Sequence, residues 1–129
     1  MIHTINQVRE PFNTTRYGQA AALTALQDQD FISSCQAKNA EGIQYLTEQF
    51  DQLGLDYFPT QANFILVHVN RPADQVFQHL LEQGIIVRGG HAPSIGYPQS
   101  LRITVGSREQ NEKLIQALTK ALEEIAVNV

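Results

Sequence analysis

The stretch "NFILVHV" at Asn63–Val69 decides the fold, and "LRITV" at Leu101–Val105 completes it. The first is β-branched and aromatic and nearly continuous in apolar character, so it reads as a buried central strand. The second alternates: Leu101, Ile103 and Val105 point one way, Arg102 and Thr104 the other. One arginine therefore stands on the face away from the core. Between the two, Asn70 and Pro72 open a helix whose apolar face is Val76, Phe77, Leu80 and Leu81. Gly84 ends it before a short strand "IIVR" at Ile85–Arg88.

Working outward, Ser107 and Gln110 form a capping box for a last helix with a stripe of Leu114, Leu118, Ala121, Leu122 and Ile125. Upstream, Phe31, Cys35, Ile43, Leu46, Phe50 and Leu53 fall near helical spacing from Asp30, and Gly54 supplies the stop. "TRYGQAAALTAL" at Thr15–Leu26 predicts a helix capped by Thr14 or Thr15 and packed closely through small side chains. Ile2, Ile5 and Val8 mark a short helix that breaks at Arg9–Pro11, as if cut from something longer. This order predicts an α+β layer: a small, mainly antiparallel sheet of about three strands covered by helices.

Composition narrows the function. The chain has 129 residues, 43% hydrophobic and 17% charged, enough for one core without a disulfide or metal staple. Nine Lys and Arg against thirteen Asp and Glu give a net charge of -4, the wrong sign for holding nucleic acid. The longest apolar run, Phe64–Val67, is far short of the roughly 20 residues that span a bilayer. A single cysteine and the lack of a signal-like segment make the cytoplasm the expected compartment.

The chemistry lies where acid is missing. Residues 83–108 hold Arg88, His91, Arg102 and Arg108 but no Asp or Glu. Arginines at strand ends beside a Gly-rich loop offer forked donors to phosphate or carboxylate, with no acid nearby to compete. This reads as a small-anion site; the alternative is that each arginine is solvated or paired with an acid distant in sequence. The four histidines show no metal-ligand spacing, Cys35 falls on a helical core stripe, and His68 reads as a packed, hydrogen-bonded strand residue. No nucleophile elbow or phosphate loop is present.

"VREPFNTTRYGQAAALTAL", "QANFILVHV", "GIIVRGG" and "LRITVGSREQNEKLIQAL", in that order, resemble the C-terminal part of the histidinol-phosphate aminotransferases, fold type I enzymes that use pyridoxal phosphate. The resemblance covers nearly the whole chain. It implies that residues 12–129 form the small domain and residues 1–11 a truncated junction helix. It implies further that Arg102 grips the substrate's phosphate or α-carboxylate with Arg88 as a second contact, and that Asn63 is a structural position at the domain junction.

Transamination also needs a lysine for the cofactor Schiff base and an acid beside the pyridine nitrogen. Lys38, Lys113 and Lys120 sit on amphipathic helices, and none matches the family's S-x-x-K loop. The expectation is therefore a fragment with no catalytic, cofactor or metal residues of its own. Pyridoxal phosphate would bind only the full-length enzyme, a homodimer whose large domain lies upstream. Two alternatives stay open: another fold type I transaminase or phospho-amino-acid decarboxylase, and a stand-alone anion-sensing or interaction module. The apolar surface around Ile2, Ile5 and Ala20–Leu26 is where an isolated chain would associate.

Overall fold

The computed structural model describes residues 2–8, 12–89 and 96–126. It contains helices α1 (Ile2–Val8), α2 (Arg16–Ala25), α3 (Gln29–Gln52), α4 (Ala73–Glu82) and α5 (Arg108–Ala126). Its strands are β1 (Asp56–Tyr57), β2 (Phe64–His68), β3 (Arg88–Gly89) and β4 (Ser100–Thr104). The chain divides into two compact units, residues 1–35 and 36–129, with the division inside α3.

In the first unit, Thr15 caps α2: its Oγ1 accepts from the Gly18 amide at 3.1 Å. No residue of α2 is buried, so the expected close packing of its alanines is not found. Alanine secures this helix through backbone propensity, which needs no partner surface. The core stripe expected from Phe31 onward is corrected as well. Phe31 and Cys35 are exposed, and burial on α3 comes only at Gly42, Leu46 and Phe50.

The second unit holds the core. Leu46 and Phe50 of α3, Val76 and Leu80 of α4, and Leu114, Leu118 and Ala121 of α5 pack on Ile65, Val67, Leu101 and Ile103 of the sheet. All three helices therefore cover one face. For that reason β2 is not buried throughout as its composition suggested; it alternates, with Ile65 and Val67 buried and Phe64, Leu66 and His68 half-buried. On α4, Leu81 turns outward at 39% exposure, whereas Val76 and Leu80 are fully covered.

The sheet has four strands, one more than expected, in the order β1-β2-β4-β3 with every pairing antiparallel. The addition comes from "LDYF", whose Asp56 and Tyr57 pair with His68 and Val67. The strand expected at Ile85–Arg88 is shifted to Arg88–Gly89. Its physical reason is the end of α4: Gly84 takes φ +77°, its amide donates to Leu81 O, and the Ile85 amide donates back to Leu80 O at 2.9 Å. That helix-terminating pattern engages the amide a strand would have used.

The turn from β4 to α5 is fixed twice. Gln110 N donates to Ser107 Oγ while Ser107 N donates to Gln110 Oε1 at 2.9 Å, the reciprocal cap read from the sequence. Asn111, 2% exposed, accepts from Gly106 N at 2.9 Å and donates to Gly106 O at 3.2 Å. Asn111→Leu keeps the branching of the side chain but strands both backbone groups, so a loss of about 2–4 kcal/mol is expected in urea unfolding. An unchanged midpoint would show that the turn does not depend on this pair.

Candidate functional site

The open face of the sheet is set by alternation and register. In antiparallel pairs, residues directly opposite share a face. Leu66 faces Arg102, and Arg102 faces Arg88, so the two arginines named from the sequence rise side by side from the uncovered face. Arg102 is half-buried and Arg88 exposed. Phe58, whose amide donates to Leu66 O, extends this row on the far side and meets Tyr97 edge to face, ring centroids 5.5 Å apart. The neighbouring row is Asp56, His68 and Ser100, with His68 Nδ1 3.5 Å from Ser100 Oγ, which agrees with His68 as a packed strand residue.

Two like charges directly across a strand pair destabilise a sheet. Among the described residues no carboxylate forms an ion pair with Arg102, and its Nε, closed off from water, has no hydrogen-bond partner. Its guanidinium carbon lies 4.8 Å from the centroid of Phe64. A buried, unpartnered Nε on a cation of this kind suits an anionic ligand at Arg102. A guanidinium fork beside an aromatic ring fits the planar oxygens of a carboxylate or the tripod of a phosphate.

Arg108 does not join them. It stacks on Tyr45 at 3.8 Å and pairs with Glu112 at 2.6 Å one helical turn away. The Glu112 hydrogen bond raises its pKa. His91, in the same acid-free stretch, lies outside the described residues. Asn63 precedes β2 and its carbonyl accepts from Val105 N at 2.9 Å, a strand-end role. The concavity lined by Lys38, Glu41, Gly42, Tyr45, Ser107 and Arg108 is separate from the arginine pair. A Cβ on Gly42 would collide there with the Val105 side chain, which is why α3 can approach the β4–α5 turn so closely.

Sequence reasoning named both arginines and did not name Phe64, whose ring lies against Arg102. Phe64 was legible as apolar, but its position beside Arg102 depends on strand register, which no local pattern contains.

The family model for aminotransferase class I and II matches residues 1–118. The chain belongs to that family. Among curated relatives of this aminotransferase chain, histidinol-phosphate aminotransferase from Geobacillus sp. (strain WCH70) is 52% identical over 124 residues, 96% of this chain and 33% of that protein. The protein of the same name from Bacillus subtilis (strain 168) is 50% identical over 122 residues, 95% of this chain and 33% of that protein. The solved Sinorhizobium meliloti histidinol-phosphate aminotransferase in complex with pyridoxal-5'-phosphate superposes with a TM-score of 0.74. It shares 27% identity over 95% of this chain and 34% of its own. The chain thus spans about a third of the length of the relatives it matches.

The described residues do not fit pyridoxal phosphate. Lys113 Nζ is 2.8 Å from Glu109 and Lys120 Nζ 3.7 Å from Glu124, both on the exposed face of α5, while Lys38 is exposed on α3. The Glu109 contact raises the Lys113 pKa, the opposite of what a Schiff-base lysine requires. No lysine stands on the sheet face with the arginines.

Proposed function

We propose that this chain is the C-terminal, substrate-binding part of a pyridoxal-phosphate-dependent aminotransferase acting on histidinol phosphate and 2-oxoglutarate or glutamate, with residues 12–129 as its small domain. One observation carries the reading: Arg88 and Arg102 face each other on the uncovered side of the sheet. Relatives at about half identity that bear that name support the substrate. In this reading Arg102 anchors the phosphate or carboxylate, Arg88 assists, and the remaining two thirds of the enzyme supply the cofactor, its lysine and most of a dimer surface. A cytoplasmic setting follows from the biosynthetic role, and among the described residues no helix is long and apolar enough to cross a membrane.

The test is a graft. Replacing the matching third of the Bacillus subtilis relative with this chain is expected to give an enzyme that transaminates histidinol phosphate. A chimera that folds and holds cofactor but leaves histidinol phosphate untouched while using another amino acid would overturn the substrate in favour of another transaminase. Release of carbon dioxide would favour a decarboxylase.

A further inference from the structure

Arg102, on the open face, has an aromatic ring against it. Phe64 pairs with Thr104 across β2–β4, which places it diagonally beside Arg102, and the guanidinium carbon sits 4.8 Å from the ring centroid. We infer that Phe64 is a positioning residue for anion binding: its ring holds the Arg102 guanidinium flat over the sheet, so that the donor fork is already oriented when a phosphate or carboxylate arrives. The inference rests on the anion-site reading above and adds to it the residue that shapes the site.

The physical argument is one of competition and order. An arginine tethered by a carboxylate would have its fork occupied by that acid, whereas a ring attracts the cation through its face and uses none of the N–H donors. A free arginine side chain samples many rotamers, and that freedom is lost on binding; stacking removes much of it beforehand. The unpartnered, water-excluded Nε of Arg102 fits this picture. No acid among the described residues forms an ion pair with it. Stacking also explains why a planar cation stands here: an ammonium could carry the charge but could not lie flat on the ring.

The experiment follows the Arg102 Nε–Hε signal of the 129-residue chain by NMR, assigned by its loss in Arg102→Lys, during titration with inorganic phosphate. In the free chain this proton is expected upfield, displaced by the ring current of Phe64. Phe64→Leu, which keeps apolar volume, is expected to return it to the ordinary arginine position and weaken phosphate binding about 3- to 10-fold. Phe64→Tyr is expected to restore both. Phe64→Trp, with the stronger cation-binding face, is expected to displace the proton further, which keeps the idea testable if the leucine variant does not fold. Phosphate binding and an Hε position unchanged by Phe64→Leu, or an Hε unmoved by Phe64→Trp, would overturn the role of Phe64 alone. A wild-type Arg102 signal indifferent to phosphate would overturn the anion-site reading, and this inference with it.

Discussion

Arg102→Lys, introduced into the grafted enzyme, is expected to lower kcat/KM by about 10- to 100-fold for both the phosphate-bearing and the dicarboxylate substrate, because a hydrogen bond to a charged group is worth about 1.5–3 kcal/mol. Lysine keeps the charge but replaces a planar, two-pronged donor with a flexible point charge. It also gives up the guanidinium contact with the Phe64 ring. The loss should fall mainly on KM, with a smaller loss in kcat to the extent that the anchor also orients the reacting end of the substrate. Steady-state kinetics with each substrate varied in turn will separate the two. Equal kinetics in the lysine variant would remove Arg102 from the site, whatever the sheet register.

The second large effect concerns stability. Phe50 is fully buried, and its ring lies 6.0 Å from that of Tyr57 at 51°. It joins α3 to β1 at the edge of the sheet, within the cluster that includes Leu46, Leu55 and Val67. Its carbonyl also accepts the Leu55 amide at 2.9 Å, just where Gly54, at φ +66°, lets the chain reverse. Phe50→Ala is expected to cost about 3–5 kcal/mol, a large part of the roughly 5–15 kcal/mol available to a domain of this kind. Urea unfolding followed by far-UV circular dichroism would show the midpoint fall sharply or the folded baseline vanish. A drop below about 1 kcal/mol would mean that the cavity collapses and that α3 is not locked to the sheet through this ring.

Much of the molecule follows from local rules. The Ser107–Gln110 box, the Thr15 cap and the glycine stops at Gly54 and Gly84 were readable because each depends on residues within a few positions. The outward side of "LRITV" was readable for the same kind of reason, since alternation along a strand assigns its faces without knowing the partner. The errors share a cause. A helical stripe beginning at Phe31, a packed alanine helix and a wholly buried β2 each assume a covering surface, and which surface is covered depends on elements far along the chain.

The sequence by itself determined the helices, the Thr15 and Ser107 caps, the outward placement of Arg102 and the absence of acid in the stretch of chain around it. The resemblance carried by four ordered motifs pointed to the aminotransferases, and the family match over residues 1–118 agrees. Tertiary structure alone decided that Arg88 and Arg102 stand face to face, that Phe64 lies against one of them, and that Arg108 is engaged by Tyr45 and Glu112. The reason is register: pairing β3 and β2 against β4 brings together residues 14 and 36 to 38 positions apart, roughly, and a slip of one residue would send every one of these side chains to the opposite face.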